Sequence, residues 1–425
     1  MIDSILNKYI NNERTQLFDN YTPDAIKELL SLCFNPQDNY ITIHIAGTNG
    51  KGTVCYSIAH MLSSAKFKTG LYVSPHLLKL NERITIDSIP ISDEELLGHL
   101  CYLDEIASRH KISLTYFDML TAVAFLHFKK QQVDFAVIET GLGGRLDSTN
   151  VIKPIVSVIT DISYDHTSVL GSTLELIAKE KSGIIKPGVP VVTSNTKSEV
   201  LDVIKNHALA SNSKLYVFNE DYYAKNISYD EEYLKFIYSF RESQELTIRA
   251  MLFPDHQSIN LSSAITAILL VRSIAGISLS NQIIENSLYN LKIPGRFEKL
   301  SRDYHIYFDP AHNISALENL FNAITERFKE RSVIFVMSIM EDKFTPEVRA
   351  FLYRFKENIV YYQLNDKRCH MSFDDEFSFA SEDKDVIFNR VVTEIINGGV
   401  VLFTGTFRIY ELASYVATKI QNNAF

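Results

Sequence analysis

The residues best suited to chemistry stand in one short run, AGTNGKGT at 46 to 53. The apolar stretch YITIHIA at 40 to 46 reads as a buried strand, and residues 53 to 66 read as a helix. Glycines at 47, 50 and 52 let the backbone turn tightly with its N–H groups exposed, and the helix N-terminus adds a field that favours an anion. In that frame Lys51 meets the β- and γ-phosphates of a nucleotide, and the Thr53 hydroxyl is suited to hold magnesium. Gly52, between the lysine and the threonine, departs from the common phosphate-loop spacing. A purely structural turn would account for the glycines but not easily for Lys51 and Thr53. The expectation is an enzyme dependent on ATP and Mg2+, with Gly47, Thr48, Asn49, Gly50, Lys51, Gly52 and Thr53 around the phosphates.

Other strand ends carry groups that suit a metal. VDFAVIET, 133 to 140, reads as a strand that delivers Glu139 as a second metal ligand or an organiser of metal-bound water. PIVSVIT, 154 to 160, is followed by Asp161, Asp165 and His166 as further ligand candidates, and a strand at 69 to 74 runs into Ser74, Pro75 and His76. Strand, ligand-like turn and helix in repetition imply an α/β fold with a mainly parallel sheet, whose ligands sit at the carboxyl ends of the strands.

Residues 93 to 109, 114 to 130, 173 to 182 and 257 to 273 carry helical patterns, whereas alternation in DEEYLKFIYSF and QELTIRAML, within 215 to 252, suggests a small antiparallel portion. After Pro294-Gly295 come strands at about 304 to 309, 332 to 337, 357 to 362 and 399 to 404, interleaved with helices. Two domains are expected, 1–295 and a smaller Rossmann-like α/β unit, 296–425.

Composition sets the remaining bounds. With 46% hydrophobic and 22% charged residues, the chain of 425 is an ordinary globular one and not disordered. A net charge of -9 argues against a general nucleic-acid binder, which needs a concentrated basic surface. The start, MIDSILNKYINNERT, lacks the apolar core of a secretory signal, and the apolar run Ala264 to Val271 is short of a membrane span. Cysteines at 33, 55, 101 and 369 show no CxxC pairing, so the expectation is a cytoplasmic protein with Cys55 as a buried filler.

Six separated runs carry a resemblance: AGTNGKGT (46–53), SPHLLKLNERI (74–84), ETGLGGRLDSTN (139–150), DHTSVLGSTLELIAKEKSGIIKPG (165–188), PGRFE (294–298) and DPAHN (309–313). Together they resemble the folylpolyglutamate synthase and bifunctional dihydrofolate synthase family of the Mur ligase superfamily, in that family's order over nearly the whole chain. The resemblance implies an N-terminal P-loop ATPase domain and a C-terminal ligase domain. It also implies a monomer that uses ATP, a dihydropteroate or reduced folate carboxylate and L-glutamate. The carboxylate is activated as an acyl phosphate, which the glutamate amine attacks.

The resemblance further implies roles by residue. One magnesium is shared by Thr53 and Glu139 with the phosphates; a second site includes Ser74, Glu139, His166 and a carbamylated Lys181. Asn260, Arg296, Asp309 and His312 resemble nucleotide contacts. Ser74, Pro75, His76 and Arg83 resemble a folate-enclosing loop, Tyr116 or Phe117 a flat pterin surface, and Lys343, after Asp342, a receiver of glutamate or acyl phosphate. Pro310, Ile314 and Pro254 stand where the family commonly has glycine, proline and glycine.

Three alternatives are weighed. One is a folylpolyglutamate synthase alone. Another is a cell-wall ligase of the same superfamily, disfavoured because little chain precedes Gly47 for a nucleotide-sugar domain. The last is a non-enzymatic nucleotide switch, which would leave the C-terminal α/β unit without a purpose.

Overall fold

A computed structural model describes residues 1–10, 22–230, 233–241, 245–370, 377 and 379–422. The polar stretch 11–15 and residues 231, 232 and 244, read above as part of the N-terminus and of strands, lie outside the described residues. The chain divides into two compact units, Met1–Met251 with His256–Leu291, and Leu252–Asp255 with Lys292–Phe425.

The first unit is built on an eight-stranded sheet of order β4-β3-β2-β5-β1-β6-β7-β8. Its strands are β1 (Ile41–Ala46), β2 (Thr69–Tyr72), β3 (Ile84–Ile86), β4 (Ile89–Pro90), β5 (Phe135–Glu139), β6 (Val156–Ile159), β7 (Val191–Thr193) and β8 (Leu215–Val217). From β2 to β8 in that order all pairs are parallel, while β3 and β4 add antiparallel at one edge. Every residue of β1 after Ile41 is buried, as expected of a parallel strand covered on both faces. The expected antiparallel portion is a three-stranded sheet of order β11-β10-β9, from β9 (Tyr222–Asp230), β10 (Tyr233–Phe240) and β11 (Glu245–Ala250).

Local signals explain the helices around this sheet. Ser92 accepts from Glu95 N at the start of Asp93–His110, which places acidic residues in its first turn and Arg109 and His110 in its last. Thr115 and Asp118 form a reciprocal capping box that starts Tyr116–Lys130. Gln257–Ala275 is long and apolar enough to cross a membrane, but 67% of that window is buried and the helix packs on Lys51–Ser64. It is a core helix that starts where the sequence pattern placed it and ends two residues beyond the expected 273.

The second unit is a six-stranded sheet, β12-β13-β17-β14-β15-β16. Its strands are β12 (Glu298–Lys299), β13 (His305–Phe308), β14 (Val333–Met337), β15 (Ile359–Tyr362), β16 (Phe379–Ser381) and β17 (Val400–Thr404). All pairs are parallel except β12 with β13. Leu252 and Phe253 are buried in this unit, Phe253 with its ring 4.6 Å from that of Phe297 and 4.8 Å from the Arg327 guanidinium.

The first unit buries three histidines in neutral form. Burial pushes His44 down to about 3 and His99 down to about 4, and it lowers His127, whose ring lies 5.5 Å from that of His99. As pH falls below about 6.5 the unfolded chain takes up protons that the folded one refuses. Stability is therefore complete above that pH and is lost progressively toward pH 4. The variant His99→Phe is expected to show a shallower fall in thermal midpoint across that window than the parent, and an identical slope would refute this.

Candidate active site

The glycine turn joins β1 to helix Lys51–Ser64 at the carboxyl edge of the first sheet. Gly50 has φ +88°, and a Cβ there would lie 2.3 Å from Asn260 Oδ1; at Gly47 a Cβ would lie 1.8 Å from Thr160 Oγ1. Both positions exclude a side chain, which is how the loop comes to rest directly on Asn260 and on the end of β6. The turn after β6 supports it from below. Thr48 N donates to Asp161 O at 2.7 Å, Asn49 Nδ2 to Ser163 Oγ at 2.9 Å and Asp161 Oδ2 at 3.2 Å, and Thr48 Oγ1 to Ser163 O at 3.1 Å.

Two lysines meet on this loop. Lys51 Nζ donates to the carbonyls of Gly47 and Thr48 at 3.1 and 3.2 Å, and Lys181 Nζ donates to Gly47 O at 2.7 Å. Lys181 is 4% exposed, and burial together with the Lys51 charge pushes its amine down to about 7, against the pull of Asp165, Asp147 and Asp161. An amine so placed is neutral in a large share of molecules near neutral pH.

Among the described residues no group of three or more His, Cys, Asp or Glu side chains is gathered for a metal, so a cation here would draw on a hydroxyl and a carboxylate. The Thr53 hydroxyl is buried and has no hydrogen-bond partner among the described residues, an arrangement costly to keep unless a ligand completes it. Glu139, 3% exposed, ends β5 and accepts from Ser74 N at 3.2 Å, which ties its carboxylate to the start of the loop after β2. His166 has φ +49°, left-handed backbone that a non-glycine residue adopts at a cost, and its Nε2 lies 3.8 Å from Asp165 Oδ2. Its ring is partly exposed, on the turn between β6 and helix Leu174–Ser182.

The loop after β2 is self-contained. Glu82 accepts the amides of Leu77, Leu78 and Lys79, and the Ser74–Pro75 peptide is cis. Arg83 is buried rather than at the surface, and its Nε donates to His76 Nδ1 at 3.0 Å, so a neutral His76 carries its proton on Nε2. Phe117 lies 5.8 Å from the Tyr72 ring and against Gly141, where a Cβ would meet its ring at 2.5 Å; Tyr116 packs into the same core. Asn260 is buried and donates to Gln257 Oε1 at 2.9 Å.

The second unit groups three of its candidates at the end of β13. Asp309 accepts from Phe297 N and Ala311 N, both at 3.0 Å; desolvation pushes its carboxyl up to about 6 while Arg296 draws it back. The Arg296 guanidinium lies 5.2 Å from the Phe407 ring, and His312 Nδ1 donates to Pro310 O at 2.8 Å. Lys343 follows β14, on the turn Glu341–Lys343, with its amine 3.6 Å from Asp342.

Sequence reasoning missed several supporting groups. Ser163 and Asn195 lie at the same edge as the glycine loop, and Asp366, held down to about 2 by Arg368 and Arg408, lies in the second unit. Their positions after buried strands were the available signal; nothing in residue type set them apart.

Comparison with known proteins bears on the family and the fold. Residues 45–268 match the Mur ligase middle domain. A dihydrofolate synthase/folylpolyglutamate synthase of Bacillus subtilis is 35% identical over 330 residues, 75% of either chain. A probable dihydrofolate synthetase of Schizosaccharomyces pombe is 36% identical over 341 residues, 78% of this chain and 79% of its own. The solved structure of a folylpolyglutamate synthase (FPGS) complex with AMPPCP and folate superposes with a TM-score of 0.84 at 27% identity, covering 99% of this chain and 98% of that one. By its middle-domain match and by identity across three quarters of its length, the chain belongs to the dihydrofolate synthase/folylpolyglutamate synthase family of Mur ligases.

Proposed function

We propose that this protein is an ATP-dependent ligase that joins L-glutamate to the carboxylate of dihydropteroate and to that of reduced folates, releasing ADP and phosphate. The observation that carries the reading is the glycine loop, where Lys51, Lys181 and an unpartnered Thr53 hydroxyl gather beside backbone amides at a helix start. An oxygen of the acceptor carboxylate attacks the γ-phosphorus, and the bond to ADP breaks. The glutamate amine then attacks the acyl carbon, loses a proton, and expels phosphate to leave the amide.

Lys51 offsets charge on the transferring phosphoryl group, and the first-turn amides of helix Lys51–Ser64, which lack intrahelical acceptors, bind phosphate oxygens. Thr53, Glu139, Ser74, His166 and a carbamylated Lys181 are the residues that would hold magnesium. When bound, magnesium neutralises charge on the phosphate oxygens. Asn260 packs against Gly50 of the loop, and within the second unit Arg296, Asp309 and His312 form a cationic and hydrogen-bonding group suited to a nucleotide. Phe117 presents a flat ring to the pterin, Arg83 holds His76 in the loop with Ser74 and Pro75, and Lys343 receives the glutamate carboxylates or the acyl phosphate. We further infer a monomer of the cytoplasm, a reducing compartment that suits the four free thiols, Cys33, Cys55, Cys101 and Cys369.

The test supplies ATP, magnesium and L-glutamate with dihydropteroate in one reaction and a reduced folate monoglutamate in another, and weighs the products. One added glutamyl unit on both acceptors is expected. Addition to the folate alone would narrow the protein to a folylpolyglutamate synthase, and no product on either would overturn the reading.

A further inference from the structure

Asn195 follows β7 at the carboxyl edge of the first sheet and is 3% exposed. Its Oδ1 accepts from Ile162 N at 2.8 Å, and its Nδ2 donates to Thr160 O at 2.8 Å and to Thr193 Oγ1 at 2.9 Å. The two backbone partners cannot exchange roles, since one is an amide and the other a carbonyl, so the orientation of the side-chain amide is fixed by them. Thr193 Oγ1 in turn donates to Ile159 O at 2.9 Å, which ties the side chain to the end of β6.

The segment Asn195 grips, 160 to 163, is the one that carries the glycine loop. Thr160 N donates to Ala46 O, Asp161 O accepts from Thr48 N, and Ser163 bonds Thr48 through both backbone groups and Asn49 through its hydroxyl. A continuous chain of hydrogen bonds thus runs from β7 through Asn195 and the 160–163 turn to Thr48 and Asn49. A buried asparagine at a strand end can serve stability alone, but here both bonded backbone groups belong to the support of the phosphate loop.

We propose that Asn195 is a positioning residue for ATP, holding the 160–163 turn so that Thr48 and Asn49 keep the loop's amides convergent on the phosphates. The inference rests on the reading that this loop binds ATP. A small displacement of a binding group is costly because the amides act together, and loss of the clamp falls on the nucleotide rather than on the folate acceptor.

Steady-state kinetics of Asn195→Ala test it. The KM for ATP is expected to rise about tenfold while the KM for the folate acceptor stays within about twofold, a split that general destabilisation would not produce. Ser194→Ala, which removes the neighbouring buried hydroxyl outside this chain of bonds, leaves both constants in place. An unchanged KM for ATP in Asn195→Ala, or a joint rise for ATP and acceptor, overturns the assignment. Should Asn195→Ala not fold, Asn195→Asp keeps the acceptor for Ile162 N but loses the N–H donated to Thr160 O: a rise for ATP alone supports the clamp and an unchanged value sinks it. Lys51→Ala separates the two levels. Loss of turnover there with a normal KM for ATP in Asn195→Ala removes only the clamp, whereas retained turnover in Lys51→Ala removes the loop reading and the clamp together.

Discussion

Replacing Lys51 with alanine lowers the rate of ATP-dependent glutamate addition by about 10²–10³-fold, the effect of removing one preorganised charge or donor from a transition state. The residue sits at the first position of its helix, with its amine anchored over the carbonyls of Gly47 and Thr48. It therefore reaches the phosphate site without reorganising. Because its charge matters most as the phosphoryl group transfers, kcat should fall more than the affinity for ATP. The measurement is initial rate against ATP concentration, with folding checked by thermal unfolding. Turnover close to that of the parent would remove Lys51 from the chemistry.

The second large effect is expected at Lys181. A buried lysine that donates to Gly47 O, with its amine pushed down to about 7, is a nucleophile toward CO2 at ordinary pH: the nitrogen lone pair bonds carbon and a proton leaves to solvent. The resulting carbamate offers oxygens in place of a cation. Lys181→Ala should lower turnover by about 10²-fold, as the loss of a metal-orienting group does, and added short carboxylates should restore part of it. The pH sense follows from the amine. An amine near that value would be open to CO2 above about pH 7 and increasingly protonated, and closed to it, below. Parent enzyme stripped of CO2 should thus recover more slowly at pH 6 than at pH 8. Full activity in Lys181→Ala without additives would rule the carbamate out.

The phosphate loop was legible because its chemistry is local: glycines, a lysine and a threonine within eight consecutive residues announce one turn. The parallel strands were legible too, since a strand buried on both faces, such as β5, reads as an unbroken apolar run. Other elements gave less. The helices Asp24–Leu32, Ser198–Ala210 and Asn281–Tyr289 lie on the outside with polar residues between their apolar ones, and the two-residue strands β4 and β12 are too short to show a period. The burial of Arg83 was not legible, because nothing in NERI reports that its guanidinium lies against His76. Asn195 was invisible for a different reason: its meaning lies in Ile162 and Thr160, more than thirty residues earlier, and in no motif of its own.

The short excursion Leu252–Asp255 has a consequence for any attempt to take the molecule apart. Those four residues belong to the second unit although the chain on both sides of them belongs to the first, and Phe253 fills space against Phe297 and Arg327. A fragment beginning at Lys292 would lack that plug and expose the aromatic surface it covers. Cleavage between Leu291 and Lys292 would leave the pieces associated through it. During synthesis, moreover, the plug leaves the ribosome some forty residues before its first ring partner, so the second unit completes its core only around a segment made in advance.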